Sequence, residues 1–375
     1  MTTFQVISLR PAAKIGSGDV LRTTAILNAL ASAGHEVAEI SILGSGEGLL
    51  RAIATPRGLR FLFKRLLHDG STHPLQWILV QAVAEARSIK LNGAGARSIY
   101  VTSRLVPDDF ASLSAVDFID ALSRNAGSRA DFSRLTRSFW LREQRLLATL
   151  ETSIASRALV SVAVSQLDAR HISPTVQSVP IQSSDSTPVG ATTRSPDPSA
   201  VFTGNLYYPP NRDAVRWIVA DLLPELAARA WRPDQLVIAG RRPGRQLSRS
   251  AIRAGVTFLT DVPDMDPVLG AASVAIAPMR LGSGMQTKVV DALRSGLPVV
   301  MTPKANEGLG LQDSAMVRIV DRTTRRFADA IESLASQGTV NCEQPRDVRR
   351  LLERSRPVQV ASRWREVLEP LLTDR

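Results

Sequence analysis

Eleven short apolar runs, separated by stretches of helical spacing, constrain this chain more than any other feature. The first half carries FQVISL (4–9), HEVAEISIL (35–43), RSIYVTS (97–103), VDFIDAL (116–122) and ALVSVAVS (158–165). The second carries AVFTGN (200–205), QLVIAG (235–240), VTFLTD (256–261), SVAIAPM (273–279), LPVVMTP (297–303) and MVRIVD (316–321). Runs this rich in Val, Ile and Ala mark strands covered on both faces. Helical patterns between them make parallel βαβ crossovers the natural connection, so the fold class is α/β. The two series flank SSDSTPVGATTRSPDPS (183–199), which has no apolar period and reads as a linker. The expected organisation is a domain at 1–183, a linker at 184–199, a second domain at 200–356 and a C-terminal helix within 357–375. In 361–372 the spacing puts Trp364, Val367, Leu368 and Leu371 on one side, where they cover the second domain or cross back to the first. With 375 residues, each domain is large enough to bury its own core.

Composition narrows the function classes. The net charge is +11, but it divides as +5 over 1–185 and +6 over 186–375, with no basic arm or tail. Only five of the 46 basic residues are lysine: Lys14, Lys64, Lys90, Lys288 and Lys304. No nucleic-acid module or aromatic-studded basic strand is present, so a nucleic-acid partner is not expected. No apolar stretch approaches the roughly 18 residues of a membrane span, and the N-terminus has no secretory pattern. A lone cysteine, Cys342, fits a reducing, cytoplasmic location.

The segment APMRLGSGMQTKVVDALRSGLPVVMTP (277–303) carries the clearest chemistry. A buried strand ends at Pro278, and Gly282-Ser283-Gly284 leads into a helix that begins near Met285, Gln286 or Thr287 and ends at Gly296. Helix starts leave amides unpaired and carry partial positive charge, which suits phosphate. Lys288 adds a cation one turn inside, and Asp291, three residues on, suits a ribose diol. Together these residues would bind both ends of a nucleoside diphosphate; a turn with a solvated lysine and a surface aspartate is the bland alternative.

This segment, with the EGL that follows at 307–309, resembles the donor-site signature of retaining GT-B glycosyltransferases, the "glycosyl transferases group 1" family. VFTGNLYYPPNRDAVRWIV (201–219) resembles the opening of that family's nucleotide-binding domain. GSGDVLRTTAILNALASAGHEV (16–37) resembles its first loop and helix, and VDFIDALSRN (116–125) and VAVSQLDA (162–169) also fit. The resemblance implies two Rossmann-like domains facing across a cleft and transfer of a sugar from a nucleotide diphosphate sugar, with retention and without metal or other cofactor. The family often carries two glutamates eight positions apart; here Ser283 stands at the first and Asp291 at the second. Many relatives place a histidine near Asp120, so Asp120 either bonds a sugar hydroxyl, orients the acceptor or caps a turn. Gly16, Gly18 and Asp19 belong to a loop that faces the interdomain cleft in the family, where it would approach the transferred sugar and its phosphate, or they form only a tight strand-to-helix turn; Arg22 follows as a candidate phosphate or acceptor ligand.

Two further segments border the expected donor site. Gly204 and Asn205 end a strand, where α/β sheets place ligands. Asn211 is read as the N-cap of a helix at 212–220, with Asp213 in its first turn. Arg241, in GRRPGR (240–245), either pairs with phosphate or is solvated. Asp264 and Asp266 have metal-pair spacing but precede a helix, where acids cap. His35, His68, His73 and His171 show no metal-ligand spacing. The first-strand glycines lack the dinucleotide fingerprint, which disfavours a dehydrogenase. RGLRFLFKRLL (57–67) forms a basic amphipathic helix that either lies on an anionic membrane or packs as an ordinary domain helix. The acceptor stays open among polysaccharide, lipid-linked intermediate and specialised metabolite. Alternative functions are an epimerase or hydrolase of the same fold and a non-catalytic nucleotide- or carbohydrate-binding protein.

Overall fold

The computed structural model describes residues 3–13, 18–44, 47–91, 97–108, 113–132, 134–183, 197–241, 243–336 and 344–372. The chain divides into two compact units: Met1–Gln182 with Pro357–Arg375, and Ser183–Arg356. Each unit is built on one six-stranded, wholly parallel sheet.

The first sheet contains β1 (Thr3–Ser8), β2 (Glu36–Ser41), β3 (Arg97–Val101), β4 (Leu113–Asp117), β5 (Ala158–Ala163) and β6 (Gln177–Ser178), in the order β2-β1-β3-β4-β5-β6. The second contains β7 (Ala200–Asn205), β8 (Leu236–Arg241), β9 (Thr257–Thr260), β10 (Val274–Ala277), β11 (Val299–Met301) and β12 (Val317–Ile319), in the order β12-β11-β10-β7-β8-β9. Every apolar run read from the sequence contributes a strand. Two details differ. β4 ends at Asp117, so Asp120 does not end a strand but follows it by three residues. β6 has two residues, too short to leave a pattern.

The alternation of side chains explains why the first sheet is covered twice. Phe4, Val6, Ile99, Val101 and Ala115 point into one core, with Ile26 and Leu30 of the helix Gly18–Ser32. Ile7, Tyr100 and Val116 point into the other. The C-terminal helix Pro357–Leu372 closes the first of these cores, its Trp364, Val367, Leu368 and Leu371 all buried there.

In each sheet the chain starts at an inner strand, builds one side, then returns to build the other. The resulting switch points lie between β1 and β3 and between β7 and β10. Ligands of open α/β sheets bind at the carboxyl ends of the strands at such points, because neighbouring loops diverge there.

Candidate functional site

At the switch point of the second unit, β7 ends in Gly204-Asn205 and β10 runs into the loop that precedes the helix Thr287–Arg294. Gly282 and Gly284 have φ of +111° and +75°, conformations that glycine adopts without strain. They turn the loop so that Gln286 becomes the N-cap. No side chain caps this end, so the first amides stay available to an anion. Ser283 Oγ is buried without a hydrogen-bond partner among the described residues.

Lys288 reaches back across the end of β7. Its Nζ donates to Asn211 Oδ1 at 2.5 Å, lies 3.6 Å from Met279 Sδ and stands 4.4 Å from the Phe202 ring centroid. No carboxylate among the described residues balances the ammonium, and desolvation lowers its pKa to about 7. Lys288 is therefore a desolvated amine, not the solvated lysine of the bland alternative. Gly204, at φ +155°, makes the approach possible: a Cβ there would meet Asn211 Nδ2 at 2.8 Å and Lys288 Nζ at 3.3 Å.

The structure corrects the reading of Asn211. The helix begins at Pro209, not at 212, and its N-cap is Tyr208. Asn211 is inside the first turn, where Nδ2 donates to Asn205 O at 2.9 Å while Oδ1 receives Lys288. It thus joins the end of β7 to the cation. Asp213 is more than a first-turn acid. It accepts from Arg280 at 2.6 and 2.9 Å and from Arg322 at 2.5 Å. Burial would raise its pKa, yet these two arginines hold the carboxyl below its ordinary range. The network anchors the start of the glycine loop, since Arg280 directly follows Met279.

Asp291 lies on the half-buried side of the same helix as Lys288, and no described residue hydrogen-bonds its carboxylate. Burial pushes its pKa up to about 6, with Arg294 opposing and Asp266 reinforcing the shift. Arg241 ends β8 beside Asn205, with its side chain exposed, and its carbonyl accepts from Leu206 N at 2.9 Å. Gly204, Asn205, Gly282 to Lys288 and Asp291 thus belong to the switch-point loops and the helix that leaves them, and Arg241 ends the strand next to β7. Asp266, the metal-like decoy, instead pairs with Arg294 at 2.6 Å.

Sequence reasoning missed Gly308. A Cβ there would meet Gly284 O at 2.1 Å and Met285 N at 3.1 Å, so this residue backs the glycine loop from behind. Its signal was present in the EGL of 307–309. Gly308→Ala is expected to displace the amides at 284–285 and weaken nucleoside diphosphate binding at least tenfold, roughly one lost charged hydrogen bond. Calorimetric titration beside a melting curve checks this: the affinity falls while the unfolding midpoint moves by only a few degrees.

In the first unit, Gly16 lies outside the described residues. Gly18 opens the helix Gly18–Ser32 and packs on Ile181, and Asp19 pairs with Arg10 at 3.0 Å. Arg22 is not available to a ligand. It is 1% exposed, grips Asp117 through Nε at 2.5 Å and Nη2 at 2.8 Å, donates to Val179 O, and stacks 5.0 Å from the Trp364 ring.

Asp120 follows a strained turn. Ile119 has φ +64°, rare for a β-branched residue, and is held by Asp117 Oδ1 on its amide (3.0 Å) and by Val164 N on its carbonyl (2.7 Å). Such strain costs about 1–3 kcal/mol and concentrates at functional sites. No described residue hydrogen-bonds the Asp120 carboxyl. Burial, then nearby Asp168, pushes its pKa up to about 7, against the pull of Arg22. A supporting layer surrounds it. Asp168 takes Arg124 at 2.7 Å and Ser165 at 2.5 Å, and Glu151 takes Leu122 N and Ser123 Oγ at 2.6 Å each. His171 Nε2 lies 3.1 Å from Ser123 Oγ. None of these seven residues was legible as a group from spacing, because they come from three separate helices and a loop.

Comparison with known proteins accords with this geometry. Residues 197–337 match the family described as glycosyl transferases group 1. That match lies wholly within the second unit. Solved structures similar to the whole chain include sucrose-phosphate synthase from Thermosynechococcus elongatus, at TM-score 0.67 and 13% identity with 99% of each chain covered. WaaG, a glycosyltransferase involved in lipopolysaccharide biosynthesis, gives TM-score 0.58 and 12% identity with 98% of each chain covered. Anabaena HepE in complex with UDP-glucose gives TM-score 0.54 and 12% identity, covering 99% of this chain and 100% of that one. At these identities the likeness establishes the fold, which is GT-B. No curated protein matches the sequence.

Proposed function

We propose that this glycosyltransferase moves a sugar, with retention, from a nucleoside diphosphate sugar to an acceptor hydroxyl, without a metal ion. The observation that carries the reading is the desolvated Lys288 amine beside an uncapped helix start at the sheet's switch point. As the anomeric C–O bond breaks, negative charge grows on the departing diphosphate. The amides of Gly284 to Thr287, Lys288 and Arg241 would neutralise it, which stabilises the transition state electrostatically. Asp291 would accept the ribose hydroxyls. Ser283 Oγ, buried without a described partner, would gain one on the sugar or phosphate. The new bond forms from the acceptor oxygen, whose proton is released.

The first unit would present the acceptor, and Asp120 would bond a hydroxyl of the transferred sugar or of the acceptor. Because HepE is described with UDP-glucose, uridine diphosphate sugars are the first donors to test. A panel of nucleotide sugars screened by thermal shift identifies the donor, since a ligand of the folded state raises the melting point. With the donor known, Asp120→Asn is expected to lower kcat at least tenfold while leaving the nucleoside diphosphate Kd unchanged. An unaltered kcat would remove Asp120 from the chemistry. Donor binding with no turnover across an acceptor panel would instead favour a binding protein.

A further inference from the structure

Two segments of the first unit, 56–69 and 132–141, carry eight of the fifteen large apolar side chains that are exposed among the described residues. The first is the helix Pro56–Asp69, started by Thr55, whose hydroxyl accepts from Gly58 N. Its inward side holds Gly58, Leu62, Arg65 and Asp69; Leu62 packs on the core, and Arg65 pairs with Asp69 (3.0 Å) and Glu85. At 100° per residue, Leu66, Leu59, Phe63 and Leu67 follow one another round the adjoining side, from about 70° to about 170° away from the inward centre, as one continuous stripe. Phe63 is 65% exposed and Leu67 88%, which an ordinary domain helix has no reason to maintain. Beside the stripe run Arg60, Lys64 and Arg57, all exposed, and they line a shallow basic depression with Pro56 and Phe61.

The second segment repeats this chemistry at a place distant in sequence. Leu135 is fully exposed at 100%, followed by exposed Phe139 and Leu141 among Arg134, Arg137 and Arg145. Of the two acids in 131–145, Asp131 is exposed and Glu143 is buried on Leu75 N. One hydrogen bond links the chain just beyond the two segments. Arg142, on the helix Arg137–Arg157, donates to the carbonyl of Gly70, which caps the helix Pro56–Asp69.

From this arrangement we infer that the first unit docks on an anionic membrane surface, with the 56–69 stripe and the exposed apolar side chains of 134–141 entering the headgroup boundary. Apolar side chains flanked by cations are what such a boundary rewards. The hydrocarbon stripe gains from the acyl edge, and the arginines gain from lipid phosphates. A nucleic acid would use the cations but leave the leucines and phenylalanines in water. No helix among the described residues is long and apolar enough to cross a membrane, so the attachment is peripheral. The inference stands apart from the proposed donor site, whose residues lie in the second unit.

Co-sedimentation of the full chain with phosphatidylcholine vesicles, and with vesicles that also contain phosphatidylglycerol, tests the inference at low and high salt. The chain is expected to sediment with the anionic vesicles only, and less at high salt. Arg57→Glu/Arg60→Glu/Lys64→Glu is expected to lower that partitioning at least about a hundredfold. Phe63→Glu/Leu67→Glu is expected to abolish it, and Leu135→Glu/Phe139→Glu to weaken it independently. All these side chains are exposed, so melting points and nucleoside diphosphate binding should hold and exclude misfolding. Absence of sedimentation by the parent chain, or equal sedimentation by the variants, would overturn the inference. So would sedimentation velocity showing a dimer that Phe63→Glu/Leu67→Glu dissociates, which would make the patch an interface between copies.

Discussion

Lys288→Met is expected to weaken nucleoside diphosphate binding by roughly 10- to 150-fold, the range that a charged hydrogen bond of about 1.5–3 kcal/mol implies. Methionine keeps the length and the contact with Phe202 while removing the charge. The parent protein adds a sharper signature. In the free protein the amine titrates near pH 7 because it is desolvated without a counter-charge. A bound diphosphate supplies that charge and raises the pKa. Below pH 7 the group is already protonated in both states, and affinity does not depend on it. Above pH 7 binding must take up a proton, so affinity falls by up to tenfold per pH unit until the bound-state pKa is passed. Calorimetric titrations between pH 6 and 9, in buffers of different ionisation enthalpy, measure both the slope and the proton uptake. In Lys288→Met both should vanish. A parent protein whose affinity is flat across this range would show that Lys288 does not touch the phosphates.

Asp117→Ala is expected to cost about 3–5 kcal/mol of stability, because it leaves the Arg22 guanidinium buried and unpaired. Both side chains are 1% exposed, so water cannot replace the lost carboxylate without opening the core. The damage should spread through Val179 and Trp364, which Arg22 also contacts, and so reach the C-terminal helix. Urea unfolding followed by tryptophan fluorescence measures the loss. The double variant Arg22→Met/Asp117→Leu should recover most of it, since two apolar side chains in the same space carry no desolvation penalty. A single variant that loses less than about 1 kcal/mol would mean that Arg22 finds another partner.

The repeated parallel strands were legible because a strand buried on both faces must be apolar almost throughout, and the helices between must be amphipathic. The displaced β4 shows the limit of that signal. Phe118 and Ala121 are buried after the strand has ended, so the apolar pattern continues where the hydrogen-bond ladder stops. The glycine loop, its helix and Lys288 with Asp291 were equally legible, since they are local: a turn, a cap and a spacing along one segment. Glycines at 282 and 284 dictate their own backbone, and the helix that follows needs only its own residues.

What the amino-acid order could not reveal is what each charged group faces. Arg22 looked like a ligand until the fold set it against Asp117. Asn211 looked like a cap until Pro209 began the helix a turn earlier and Lys288 came across from another crossover. The pKa values of Lys288 and Asp120 depend on desolvation by side chains from distant segments, and the exposed stripe on Pro56–Asp69 depends on which side the core left uncovered. Periodicity and turn chemistry act over a few residues, so sequence determines the elements and their order. Burial and pairing act across the packed structure, so tertiary contacts alone decided which cations are paired, as Arg22 is, and which are desolvated without a carboxylate, as Lys288 is.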